Sequence, residues 1–185
     1  MEGFWLSTGI VALAEMGDKT QLLSLLLAAR FKKPWPIVWG ILVATLANHA
    51  AAGALGTWVT HWLGPVALKW VLIVSFWAMA VWMLIPDKMD EEEAPHAPRW
   101  GVFGTTVVAF FLAEMGDKTQ IATVMLAADY QSWVWVVAGT TLGMMLANVP
   151  VVWLGERITR RIPLTWVHRV SALIFAALGL GLWLS

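Results

Sequence analysis

Ala14-Glu15-Met16-Gly17-Asp18-Lys19-Thr20-Gln21 recurs letter for letter as Ala113-Glu114-Met115-Gly116-Asp117-Lys118-Thr119-Gln120. The offset of 99 persists outward through Ala28-Ala29 against Ala127-Ala128, Phe31 against Tyr130 and Gly40 against Gly139. One inserted residue later, Leu46-Ala47-Asn48 matches Leu146-Ala147-Asn148. An eight-residue identity with such downstream echoes marks a duplicated unit.

The sequence around the motifs is that of a membrane protein. Of 185 residues, 59% are apolar and only 13% charged, and the mean hydropathy is +0.71. A soluble domain of this length is nearer half apolar and about a quarter charged, so that class is excluded. Six apolar stretches, near 4–29, 36–60, 65–86, 100–128, 132–156 and 164–184, are each long enough to cross about 30 Å of hydrocarbon. The first lacks a basic leader, exceeds a signal-peptide core and carries acids, so it reads as a retained span. Trp5, Trp35, Trp58, Trp62, Trp100, Trp133, Trp166 and Trp183 fall near stretch ends, where indole rings anchor at the headgroups. Trp77 and Trp153 read as deeper packing residues. Net charge is zero, which argues against a nucleic-acid surface. Cysteine is absent, which excludes disulfides, thiolate metal sites and a cysteine nucleophile.

The fold expected is therefore all-α, with six transmembrane helices in two three-helix repeats, 1–86 and 100–185, joined by an acidic linker, 87–99. Asp90-Glu91-Glu92-Glu93, Pro95 and Pro98 make that linker the one plainly hydrophilic stretch. Three spans is an odd number, so the second repeat enters the membrane in the opposite sense, the inverted topology of many secondary transporters. Arg30, Lys32, Lys33, Lys88, Arg99, Arg157, Arg160, Arg161 and Arg169 fall on one side of this topology, and only Lys69 on the other. The positive-inside rule then puts both termini outside and the linker in the cytoplasm.

The repeated motif carries the chemistry. Glu15 and Asp18 are three apart, so on a continuous helix both carboxylates share a face with Gln21, and Lys19 can pair with Glu15. Glu114, Asp117, Gln120 and Lys118 repeat the arrangement. Six charged groups at mid-membrane cost about 15–20 kcal/mol before pairing or protonation, a burden kept where they face a cavity, partner or substrate. Inverted symmetry brings the four carboxylates together near the midplane, with oxygens from Gln21, Gln120, Asn48, Asn148, Ser24 and Thr123 nearby. Such hard oxygen donors suit Ca²⁺, Mn²⁺ or Mg²⁺ better than copper or zinc. Four carboxylates and two ammoniums leave a formal charge of −2, which one divalent cation or two protons neutralises. Metal and protons are then expected to compete for one site.

Other readings stand beside this one. The Glu–Lys pairs could be purely structural, and Gly17 and Gly116 could serve close helix packing or a helix break. Asn48 and Asn148 suit interhelical hydrogen bonds as well as ligation, and Ser24 and Thr123 more often bond their own helix. His49 has Val149 as its counterpart, which favours a packing or peripheral role; His61, His96 and His168 read as loop or interface residues. Met144-Met145 reads as packing.

Two E-x-G-D-K-T motifs, each on the first span of a three-helix repeat, closely resemble one family across essentially the whole chain. It comprises the Golgi-type Mn²⁺/Ca²⁺:H⁺ exchangers and the MneA-type bacterial manganese exporters of the cation/Ca²⁺ exchanger superfamily. The resemblance implies that Glu15, Asp18, Glu114 and Asp117 bind the transported cation, with Lys19, Thr20, Lys118 and Thr119 completing the motifs. It implies Mn²⁺ export by proton antiport, with Ca²⁺/H⁺ exchange the alternative, in a bacterial inner membrane. The metal is then substrate; no resident cofactor, catalytic residue or nucleic-acid partner is expected. A passive metal channel and an intramembrane hydrolase using the paired carboxylates are the readings from other classes.

Overall fold

The computed structural model describes residues 2–85, 100–155 and 164–185. They form eight helices and no strand: α1 (Glu2–Ala14), α2 (Lys19–Phe31), α3 (Pro34–Trp62), α4 (Pro65–Trp82), α5 (Gly101–Glu114), α6 (Lys118–Tyr130), α7 (Trp133–Leu154) and α8 (Leu164–Leu184). The expected linker 87–99, with its acidic run and His96, lies outside the described residues, as do Lys88, Arg99, Arg157, Arg160 and Arg161.

Four helices are individually long and apolar enough to cross a membrane: Pro34–Trp62, Pro65–Trp82, Trp133–Leu154 and Thr165–Leu184. The stretches 4–29 and 100–128 differ from expectation. Each is split at the motif into two helices of 13 or 14 residues, and each half, at about 1.5 Å per residue, is roughly 20 Å long. Glu15 and Asp18 therefore do not share a face of one continuous helix, and the four-residue spacing of Glu15 and Lys19 no longer implies a pair.

Local chemistry explains the punctuation. Gly17 and Gly116 sit at φ +84° and +74°, a left-handed conformation that glycine adopts without penalty. Proline stands in the first turn of α3 and of α4, where its missing N–H loses nothing. Lys32 and Gln131, equivalent in the two repeats, both adopt the left-handed conformation that ends α2 and α6.

The two halves interlock. α1 packs on α7 as α5 packs on α3, α2 on α7 as α6 on α3, and α4 packs against α8. Glycines set the closest approaches. A Cβ at Gly139 would lie 2.4 Å from the Phe4 carbonyl oxygen, and one at Gly40 would lie 3.1 Å from that of Phe103. Phe4 and Phe103 are themselves 99 residues apart, so this is one contact made twice. The Gly139 contact is with backbone, which cannot swing aside. Gly139→Ala is expected to lower stability by about 1–3 kcal/mol. Thermal unfolding of the purified protein checks this against Gly64→Ala, where nothing lies within 4 Å of the added Cβ.

One apolar cluster joins α1, α4, α6, α7 and α8 through Ile10, Phe76, Met83, Ala122, Val136 and Phe175. A second joins α2, α3, α5 and α7 through Leu27, Ile41, Phe110 and Val152. Many large apolar side chains point outward, including Trp39, Leu46, Val74, Leu112 and Leu173, as expected of a bundle solvated by lipid. Trp77 and Trp153 are about half exposed, not deeply packed; Trp77 lies against Gly179 of α8, and Trp153 meets Trp35 edge-on. Met144 is fully buried, and Met145 packs on the second cluster.

Candidate metal centre at paired helix breaks

The two motifs fold alike. Glu114 is the last residue of α5 and Glu15 directly follows the last residue of α1, and the carbonyls of Glu15 and Glu114 accept from the N–H of Asp18 and of Asp117, both at 3.2 Å. Asp18 and Asp117 then take the N-cap positions of α2 and α6, in extended conformation and without a side-chain capping bond. Their carboxylates are spared the usual task of an N-cap aspartate. The glutamines at the third helical position instead reach back across the break. Gln21 Oε1 accepts from the Gly17 N–H at 3.0 Å, and Gln120 Oε1 from the Gly116 N–H at 2.7 Å. This is a relative of the capping box, displaced by one residue. The threonine one position earlier donates its hydroxyl to the glutamate: Thr20 to Glu15 Oε2, and Thr119 to Glu114 Oε2 at 3.0 Å.

The breaks face each other. Carboxylate oxygens of Glu15, Glu114 and Asp117 lie within 4.8 Å of one another. Both glutamates are fully buried, Asp117 is 4% exposed and Asp18 5%. Asp18 is outside that trio. Glu15 Oε1 and Glu114 Oε1 are buried with no hydrogen-bond partner among the described residues. Lys19 Nζ lies 3.6 Å from Asp117 Oδ1, so an ion pair joins the two repeats. Lys118 Nζ instead donates to the carbonyl of Ile85, beyond the end of α4, at 2.8 Å. The N-termini of α2 and α6 bring partial positive charge to this acidic cluster.

The remaining sequence candidates stitch the helices around the breaks. Asn48 Nδ2 donates to the Phe111 carbonyl at 3.0 Å, and Asn48 Oδ1 accepts from Gln120 Nε2 at 3.3 Å. Gln21 Nε2 donates to the Ala147 carbonyl at 3.2 Å, and Ser24 Oγ to Asn148 Oδ1 at 2.8 Å. Thr123 bonds its own helix at the Thr119 carbonyl, as expected of a helical threonine. Ser24 does not; it reaches α7. His49 is fully buried in α3 beside Asn48, and neither ring nitrogen has a hydrogen-bond partner among the described residues. It is not peripheral. His61 is exposed near the end of α3 and His168 half-buried in α8. Sequence reasoning missed the Ile85 carbonyl, for which no side-chain signal exists.

The sequence that builds this arrangement has known relatives. The family model described as "Divalent cation/proton antiporter GDT1" matches residues 3–91 and 102–185. The chain belongs to this family. The family is one of transporters that exchange divalent cations for protons. Among curated relatives, a Vibrio cholerae protein named "Putative manganese exporter" is 54% identical over 177 residues, covering 95% of this chain and 88% of the relative. The GDT1-like protein sll0615 of Synechocystis is 28% identical over 192 residues, covering 94% of this chain and 93% of that protein. GDT1-like protein 5 of rice is 25% identical over 226 residues, covering 99% and 94%. No solved structure matches.

Proposed function

We propose that this GDT1-family protein exports Mn²⁺ in exchange for protons, with Glu15, Asp18, Glu114 and Asp117 as the cation site. The observation that carries this reading is the buried trio of Glu15, Glu114 and Asp117, in which each glutamate keeps one carboxylate oxygen with no hydrogen-bond partner among the described residues. Burying acids this way is costly unless a cation or proton neutralises them. The name of the Vibrio cholerae relative supports manganese among the ions that all-oxygen donors accept. Ca²⁺ is the second reading, because the same oxygens suit it.

In this reading the chain spans the membrane six times, as two inverted three-helix repeats, 1–86 and 100–185, linked by 87–99. The pairs α1–α2 and α5–α6 each cross as two half-helices, the discontinuous form that places ion sites near the midplane of transporters. The near-twofold packing of α1 on α7 and α5 on α3 supports the repeat assignment. Arg30, Lys32 and Lys33 mark the cytoplasmic side of a bacterial inner membrane, and both termini lie outside.

Uptake of Mn²⁺ and Ca²⁺ into proteoliposomes, with and without an imposed pH gradient, tests the proposal. The expected result is gradient-dependent uptake, faster for Mn²⁺, with protons moving the other way. Movement without proton counter-flow would mean a channel. Failure of either ion to move under any gradient would return the acidic groups to structural or enzymatic roles.

A further inference from the structure

Lysine in the first turn of a helix opposes the helix dipole, which favours acids there. The sequence breaks this rule in both repeats, with Lys19 opening α2 and Lys118 opening α6. A local rule broken twice at a functional site calls for a compensating partner. For Lys19 the structure supplies Asp117 of the other repeat. For Lys118, 5% exposed, it supplies the Ile85 carbonyl of the other repeat's last helix. That carbonyl is a natural acceptor. It lies just past the C-terminus of α4, where the ladder has tightened to three-residue turns (Leu84 N–H to Val81, Ile85 N–H to Trp82). Helix C-terminal carbonyls carry partial negative charge and favour an ammonium.

The packing around this contact is one-sided. α4 packs on α6 and α8 packs on α1, and both join the apolar cluster that holds Met83. The second cluster, around α2 and α5, contains no member from α4 or α8 among the described residues. The two lysines hold equivalent positions in the repeat; Lys19 reaches Asp117, and Lys118 reaches the end of α4.

We propose that Lys118 is a positioning residue that latches the end of α4 to the helix break carrying Asp117, coupling occupancy of the cation site to release of α4. This rests on the exchanger reading for its purpose, but the contact itself does not. A divalent cation arriving at Asp117, one residue away, repels the Lys118 ammonium and weakens its hold on Ile85. α4 is then free to leave α6, and the side of the bundle that it covers opens.

The chain has no cysteine, so a single reporter cysteine suffices. Met83, 2% exposed beside the latch, is replaced by cysteine and its maleimide labelling rate measured with Lys118 intact, as K118M and as K118R. K118M is expected to speed labelling about tenfold, as a local opening made easier would, and K118R to recover most of the protection. K118Q gives the same readout should K118M fail to fold. In proteoliposomes, K118M is expected to lower turnover about tenfold while changing the half-saturating metal concentration less than about threefold. Equal labelling in all variants would overturn the latch. So would a raised half-saturating concentration at unchanged turnover, which would make Lys118 act on the ion instead of on α4. Labelling needs no transport, so failure of the exchanger reading is seen separately, as a wild type that moves no ion.

Discussion

Asp117→Asn reduces gradient-driven Mn²⁺ uptake by about a hundredfold or more, equivalent to about 2.7 kcal/mol of lost stabilisation in the transport cycle. The substitution isolates charge from structure. Asp117 is the N-cap of α6, and asparagine caps helices about as well as aspartate, so the start of α6 survives. What is lost is one of three clustered carboxylates and an ion-pair partner of Lys19. The amide also places N–H donors beside Glu15 and Glu114, where a cation would need acceptors. Melting temperatures of the purified variant and wild type should agree within a few degrees. A folded variant that keeps about half or more of the wild-type uptake would remove Asp117 from the ion path, because a direct carboxylate ligand in so buried a site is not dispensable.

Why the sequence foretold some of this and not the rest follows from where each signal resides. Repetition of the motif, the apolar stretches and the glycine beside the acid are all local, and they appear in the structure as two matching half-helix pairs. The conformation at Gly17 was legible only as an alternative. A glycine between apolar helices serves a close contact or a break equally well on sequence grounds, and its positive φ decides for the break. That break is why Lys19 turns to Asp117: a helical four-residue spacing carries no meaning across a chain reversal in φ. Gly139 was legible only as the repeat counterpart of Gly40, and nothing in the sequence said that Phe4 backbone lies against it. Lys118 was legible as a buried charge. Its acceptor was not, since a backbone carbonyl leaves no mark on the residue type at position 85. His49 was judged from its missing counterpart at Val149, an argument about symmetry that says nothing of burial; α5, α6 and α7 all pack on α3, which carries it.

The asymmetry of the lysines bears on how a twofold site can work in one direction. Thr20 and Thr119 hold Glu15 and Glu114 alike, and Gln21 and Gln120 close the two breaks alike. Each glutamate thus accepts from a threonine of its own repeat. The polar side-chain contacts between repeats around the breaks are the ones that differ: Lys19 to Asp117, Lys118 to Ile85, Gln120 to Asn48 and Gln21 to the Ala147 carbonyl. An alternating-access cycle needs a rigid ion cradle and exchangeable contacts around it. The bonds within each break suit the first role and those between repeats the second.

Metal affinity is expected to fall as pH falls, because carboxylates must lose their protons to bind a cation. The size of the effect comes from charge balance. Glu15, Asp18, Glu114 and Asp117 with Lys19 and Lys118 carry a formal charge of −2, so a site neutralised by two protons releases both when one divalent ion enters. In the range where the site is protonated, the apparent dissociation constant for Mn²⁺ then rises about a hundredfold for each unit that pH drops. Above that range the dependence flattens, since no protons remain to be displaced. Binding to detergent-solubilised protein, followed by calorimetry between about pH 6 and pH 8 in buffers of different ionisation enthalpy, counts the protons released. A slope of about one would mean that only one proton is exchanged, so that each cycle moves net charge and responds to membrane voltage. A dissociation constant independent of pH across the whole range would detach the protons from this site. The trio of Glu15, Glu114 and Asp117 would then bind metal without accounting for antiport, and the proton path would have to be sought among other buried groups.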